Sequence, residues 1–292
     1  VVACALNSKE SLTMPYLPGT AIEIVHPELP RGHVHSVLFD FDGTLSLIRE
    51  GWQQVMIPMM VEILSALDTS ESGAELTAIV TEYVDRLTGK QTIYQMIELG
   101  NQIQARGGAP LDPLAYKHQY LDRLWERIEG RVAGLKAGQI APVDMVVPGA
   151  FDILDNVRER GMTCYLASGT DQPYVLDEAA ALGVAPCFDG RIYGALDEYE
   201  RFSKAQVIQD ILGMHDLRGR QLLAFGDGFV EIEETKRVGG IAVGVASDEV
   251  HRQGVNDWKR DRLIEAGADV IVPDFREQRQ LLDFLLGCES QL

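Results

Sequence analysis

Ser36-Val37-Leu38-Phe39-Asp40-Phe41-Asp42-Gly43-Thr44 is the stretch that decides the fold. An apolar run this short, ended abruptly by carboxylates and a glycine, reads as a buried parallel strand that delivers polar groups to the C-terminal edge of a sheet. The same texture returns further along the chain. Met162-Thr163-Cys164-Tyr165-Leu166-Ala167 runs into Ser168-Gly169-Thr170, and Gln221-Leu222-Leu223-Ala224-Phe225 runs into Gly226-Asp227-Gly228. Ile241-Ala242-Val243-Gly244-Val245 and Asp269-Val270-Ile271-Val272 follow. Helical stretches at 149–160, 173–183, 204–213 and 231–238 separate these runs, and repeated strand-helix-strand units imply a parallel sheet covered on both faces.

Between the first of these strands and the second the texture differs. Residues 47–144 hold no convincing strand but several amphipathic segments: Trp52–Leu67, Ala74–Thr88, Thr92–Ala105 and Pro113–Leu135. In the last, Leu114, Tyr120, Leu121, Leu124, Trp125 and Ile128 fall on helical spacings with charged residues between them. A helical bundle inserted into one sheet domain is the most economical reading. Residues 1–35 carry Pro15, Pro18, Pro27 and Pro30 and no sustained periodicity, which suggests an extended lead-in with one short strand near Ala21–Val25.

The composition limits what such a fold can do. Across 292 residues, Lys plus Arg number 26 against 44 Asp plus Glu, a formal net charge of -18. That balance argues against a nucleic-acid polymer or an anionic membrane surface as partner, because both need a basic face. Cys4, Cys164, Cys187 and Cys288 form no CxxC pair, so neither a zinc site nor a disulfide framework is signalled, and reduced, mostly buried thiols are expected. No apolar run approaches the roughly 20 residues that span a bilayer, and a cytoplasmic location is expected. Val1-Val2-Ala3-Cys4 resembles the tail of a lipoprotein signal, but the apolar segment that precedes such a tail is missing.

In an open parallel sheet the loops at the carboxyl ends of the strands converge on one crevice. Here they would bring together Asp40 and Asp42, then Ser168 and Thr170, then Asp227, with Ser203-Lys204 at the start of a helix. Each group also has a plainer reading. Asp-Gly commonly marks a turn, Ser168-Gly169-Thr170-Asp171 suits a turn and N-cap before Pro173, and Lys204 suits a solvated helix face.

Taken in order, these residues resemble the four motifs of the haloacid dehalogenase superfamily of phosphohydrolases. DxDGT stands at Asp40-Phe41-Asp42-Gly43-Thr44, the S/T-G motif at Ser168-Gly169, the lysine motif at Lys204, and a GDxxxD-like motif at Gly226-Asp227-Gly228-Phe229-Val230-Glu231. The resemblance covers residues 36 to about 250, closest to the phosphoglycolate phosphatase and β-phosphoglucomutase group. It implies an α/β fold, a Rossmann-like three-layer sandwich with a parallel sheet. The catalytic core would comprise 36–46 and 145–292, and 47–144 would form an inserted α-helical cap.

The resemblance also implies roles. Asp40 would be the nucleophile and Asp42 the general acid and then base. Ser168, Gly169, Thr170 and Lys204 would bind the phosphoryl oxygens. Mg²⁺ would be held by the Asp40 side chain, the Asp42 backbone carbonyl and Asp227, since hard oxygen ligands favour that ion. Glu231 departs from the commoner aspartate; it can bind metal directly, through water, or not at all, with Glu233 or Glu234 as substitutes. As a first-turn acid it also suits the helix dipole.

Two cap-side candidates complete the set. Lys90, in Thr88-Gly89-Lys90-Gln91-Thr92, either meets an anionic substrate or sits on the surface. The segment is not a nucleotide P-loop, because the glycine required five residues before Gly89 is Val84. Arg49, with Glu50 and Trp52, either lines the entrance or serves as hinge and packing. His33 and His35 lack further metal ligands nearby in sequence.

The expected function is a Mg²⁺-dependent phosphatase hydrolysing a small phosphorylated metabolite, such as a sugar phosphate or a phosphoglycolate-like compound. A phosphomutase of the β-phosphoglucomutase type uses the same residues. A dehalogenase has no alkoxide to protonate, and a phosphonate hydrolase would need a Schiff-base lysine. A non-catalytic phosphometabolite-binding domain, or one part of a bifunctional chain, belongs to a different class; the intact acid pair argues against a dead site.

Overall fold

A computed structural model describes residues 15–196, 204–214, 216 and 219–288, without the side chain of Lys204. Its centre is a seven-stranded sheet of β1 (Glu23–Ile24), β2 (Ser36–Phe39), β3 (Thr163–Asp171), β4 (Ile192–Ala195), β5 (Leu222–Gly226), β6 (Ile241–Val245) and β7 (Val270–Val272). The order is β1-β7-β6-β5-β2-β3-β4; every pairing is parallel except that of β1 with β7.

Side-chain alternation explains the layers. Val37 and Phe39 of β2 point into one apolar cluster with Phe225 and Val243, while Leu38 points into another with Tyr165 and Ala224. The first face is covered by α5 (Ala150–Glu159), α6 (Gln172–Leu182) and α10 (Gln278–Leu285), through Ile153, Val157, Val175, Ala179, Leu281 and Leu285. On the other face lie α7 (Lys204–Met214), α8 (Phe229–Arg237) and α9 (Asp257–Glu265), anchored by Ile208, Ile211, Ile232 and Leu263. This is the Rossmann-like sandwich. Among the described residues no helix is long and apolar enough to cross a membrane.

Four helices intervene between β2 and β3: α1 (Gln53–Ser65), α2 (Gly73–Leu87), α3 (Thr92–Ala105) and α4 (Pro113–Lys136). Their starts are written locally. Ser72 and Glu75 form a capping box for α2, and Asp112 caps α4 with Pro113 in its first turn. The chain passes to and from these helices through a narrow neck. Leu47 N–H donates to Met145 O at 2.9 Å and Val147 N–H to Leu45 O at 3.0 Å, so the outgoing and returning segments run antiparallel.

Strand β4 and helices α9 and α10 add to the elements expected from sequence. Helix α9 buries only Lys259 and Leu263, too few apolar positions for a helical stripe. Among the cysteines, Cys164 is buried as expected, but Cys288 is exposed and Cys187 is intermediate; Cys4 lies outside the described residues.

Candidate functional site

The chain runs from β2 to β3 and β4 on one side, then crosses to β5 on the other side of β2. Such a reversal opens a crevice beyond the carboxyl ends of the strands. Asp40 directly follows β2, Ser168-Gly169-Thr170 lies at the end of β3, and Asp227 directly follows β5. The pairing of β3 with β4 shifts register between Ala167 and Asp171, so the polar end of β3 departs from regular pairing. Three adjacent strand ends thus converge.

A crevice of about 120 Å³ lies between these ends and the helical cap. Its floor holds Asp40, Asp42, Gly169, Thr170 and Asp227, and its roof holds Arg49, Met56, Lys90, Gln95 and Tyr120. Both carboxylates of the first motif, the glycine and threonine of the second, the fourth-motif aspartate and both cap-side cations therefore meet in one place. Ser168 does not reach that wall. It is buried, and its hydroxyl accepts from Thr170 N–H at 3.0 Å and donates to Asp42 Oδ2 at 3.4 Å. Lys204 begins α7, but its side chain lies outside the described residues.

The two aspartates of the first motif have different surroundings. Asp40, Asp227 and Glu231 each offer a carboxylate oxygen within 4.8 Å of the others. Oxygen-only donors at this spacing fit a hard divalent cation. Glu231 also accepts from Gly228 N–H at 2.7 Å, so it serves as an N-terminal helix acid while belonging to the cluster. Glu234 instead pairs with Arg237 at 2.7 Å. Asp42 accepts from Thr170 Oγ1 at 2.8 Å through Oδ2, while its buried Oδ1 has no hydrogen-bond partner. Burial pushes the Asp42 carboxyl above the ordinary carboxylate range, against the pull of Arg49 and the Thr170 hydrogen bond.

Backbone geometry brings these groups close. At Gly43, with φ of +76°, a Cβ would collide with the Asp227 carboxylate. Across the crevice, a Cβ on Gly89 would lie 3.2 Å from Gly228 Cα and 3.3 Å from Phe229 N, so cap and core loops touch backbone to backbone. Arg262 of α9 secures this contact. Its Nη1 donates to Asp85 O at 2.6 Å and its Nη2 to Thr88 O at 3.2 Å, where the exposed carbonyls of α2 favour a cation. The same guanidinium lies over two aromatic rings, 4.7 Å from the centroid of Trp258 and 5.2 Å from that of Phe229.

Several site residues were not evident from sequence. Glu178 of α6 is buried and accepts from Arg49 Nη2 at 2.6 Å and from its Nε at 3.1 Å. Arg49 Nε lies 3.9 Å from Asp42 Oδ1, so Arg49 is both a crevice wall and a buried tie from neck to core. Lys259 of α9 donates to Asp227 Oδ2 at 2.7 Å and to Glu249 Oε1 at 2.6 Å. Lys117 of α4, also buried, pairs with Asp171 at 2.7 Å. The available signal was a charge on an apolar stripe: Glu178 shares its buried face with Val175, Ala179 and Leu182, and Lys117 lies beside Tyr116, Tyr120 and Leu124.

Comparison with solved structures finds the same fold. A predicted phosphoglycolate phosphatase from Haemophilus somnus is 14% identical, with 85% of this chain and 98% of that one covered and a TM-score of 0.58. A predicted phosphatase from Clostridium acetobutylicum is 16% identical, with 86% and 99% covered and a TM-score of 0.57. A haloacid dehalogenase family hydrolase from Deinococcus radiodurans, with bound phosphate and sodium, is 15% identical, with 86% and 96% covered and a TM-score of 0.53. At these identities the likeness is one of fold. No curated protein matches in sequence. The family model for haloacid dehalogenase-like hydrolases matches residues 34–239, a span that takes in all four motifs, the neck and the helical insertion. The chain belongs to the haloacid dehalogenase-like hydrolases.

Proposed function

We propose that this hydrolase is a Mg²⁺-dependent phosphatase acting on a small phosphorylated metabolite through an aspartyl phosphate on Asp40. The observation that carries the reading is the contrast between two aspartates in one crevice. Asp40 belongs to a carboxylate cluster, whereas Asp42 is held by the Thr170 hydroxyl and has its carboxyl pushed upward by burial. Residues 36–46 and 145–292 would form the catalytic part and 47–144 the cap.

Asp40 would attack phosphorus, forming a P–O bond as the ester P–O bond breaks, and Asp42 would give its proton to the departing alkoxide. Asp42, now a carboxylate, would take a proton from water as that water attacks phosphorus and releases Asp40. Thr170 and Ser168 would hold the Asp42 carboxyl in position. Gly169 and Lys204 would bind phosphoryl oxygens, and Lys90 would face the substrate from the cap. Asp40, Asp227, Glu231 and the Asp42 carbonyl would hold Mg²⁺. When bound, the ion supplies positive charge that offsets the phosphoryl and carboxylate charges.

The test is phosphate release from a panel of phosphorylated metabolites, with and without Mg²⁺, by the wild type and Asp40→Asn. Release only by the wild type with Mg²⁺ is expected; equal activity of both proteins would overturn the mechanism. A hexose 1-phosphate converted to an isomer without free phosphate would replace the hydrolase reading with the mutase one.

A further inference from the structure

Two polar side chains on the crevice roof have no hydrogen-bond partner among the described residues. Gln95 of α3 is 3% exposed and Tyr120 of α4 is 4% exposed, and both line the crevice that Asp42 lines from below. Most of each side chain is buried, yet neither polar group is enclosed; both stay open to the crevice, where water or a bound ligand completes their hydrogen bonds. These two come from different helices and open into the same space. Burial keeps the Tyr120 hydroxyl protonated, pushing its pKa well above the ordinary value.

Their chemistry indicates the missing group. An amide and a phenol each offer a donor and an acceptor, which complements an alcohol hydroxyl better than an acceptor-only carboxylate. Arg49, the cation whose charge reaches Tyr120, is already matched by Glu178 at 2.6 Å, so this part of the roof does not call for a second anion. Size points the same way. The 120 Å³ between floor and roof matches a phosphoryl group with a short chain, and any longer chain must leave through the open side, away from Gln95 and Tyr120.

We propose that Gln95 and Tyr120 bind hydroxyl groups of the leaving alcohol, so that the preferred substrates are phosphate monoesters of short polyols. This assignment rests on the phosphatase reading above. Gln95 and Tyr120 act on specificity rather than on the bond-breaking step, because they line the roof and not the phosphoryl floor.

The experiment compares kcat/KM for glycerol phosphate, propyl phosphate and a hexose 6-phosphate, using the full chain with Mg²⁺. Glycerol phosphate and propyl phosphate share a carbon count and differ in hydroxyls. The wild type should prefer glycerol phosphate by about 10²-fold or more, since a site built to hydrogen-bond a hydroxyl strongly rejects the analogue without it. Gln95→Leu and Tyr120→Phe should each lower kcat/KM for glycerol phosphate by about tenfold or more while leaving propyl phosphate within about threefold. Equal loss on both esters, no wild-type preference, or a preference for the hexose phosphate would overturn the assignment. No phosphate release from any of the three would overturn the phosphatase reading and this assignment together.

Discussion

Replacing Lys259 with methionine tests how the acid cluster is held together. The Lys259 side chain is 10% exposed, and its ammonium lies 2.7 Å from Asp227 and 2.6 Å from Glu249, whose side chains are 15% and 20% exposed. Removing one partner from a buried ion pair costs about 3–5 kcal/mol, because the remaining charge stays buried. For a chain of this size, about 2 °C of melting temperature per kcal/mol gives a fall of roughly 6–10 °C.

The pH dependence has a definite sign. Burial already pushes the Glu249 carboxyl upward, Lys259 opposes that, and the Asp227 charge adds to it. Without Lys259 the folded-state pKa of Glu249 rises further above its unfolded value. Stability is then lost as pH rises through that folded value, so the deficit of Lys259→Met should be larger at pH 8 than at pH 5. Adding Glu249→Gln removes the uncompensated charge and should recover much of the loss at pH 8. Differential scanning calorimetry of the two single variants and the double variant measures all three effects. A loss of under about 1 kcal/mol, or a double variant no more stable than Lys259→Met alone, would refute the reasoning.

Three other perturbations address the site and its roof. Gly89→Ala places a methyl group against the Gly228 backbone at a residue with φ of +98°; kcat/KM should fall about tenfold and the melting temperature by about 2–4 °C, as measured by phosphate release and calorimetry. Arg262→Met removes charge-assisted hydrogen bonds to Asp85 O and Thr88 O, each worth about 1.5–3 kcal/mol. Limited proteolysis should cut the 88–92 loop faster in that variant, and an unchanged rate would contradict the contact. Asp42→Asn should raise stability at pH 7, because the folded-state carboxyl of Asp42 is raised by burial and its ionised form is disfavoured. That gain should disappear near pH 3, where both folded and unfolded carboxyls are protonated; denaturant melts at the two pH values check it.

What the sequence made legible was local. Ser36–Thr44 carries strand, turn and carboxylates in consecutive residues, and α1 to α4 repeat apolar positions at helical spacing. Strand β4 was hidden because Gly194 interrupts a four-residue run, and α9 because it buries so few apolar side chains. The site divides along the same line. Asp40, Asp42 and Asp227 each stand at or just past the end of an apolar strand and can be placed from their immediate neighbours. Arg49 and Glu178 lie 129 residues apart, and Asp227 and Lys259 lie 32 apart, so nothing local to either residue reveals its partner. Gln95 and Tyr120 were equally concealed, since in sequence they are ordinary members of amphipathic helices.

The neck has a consequence for how this chain can be altered. Because Leu47 and Met145 are hydrogen-bonded neighbours, the entire helical insertion begins and ends at nearly one point. A different helical module whose termini meet at a similar separation could be spliced there without changing the strand order or the register of the sheet. On the proposed reading, chemistry and selectivity then occupy exchangeable parts of one polypeptide, and a chimera built at this junction should carry the donor's substrate range on an unchanged catalytic floor.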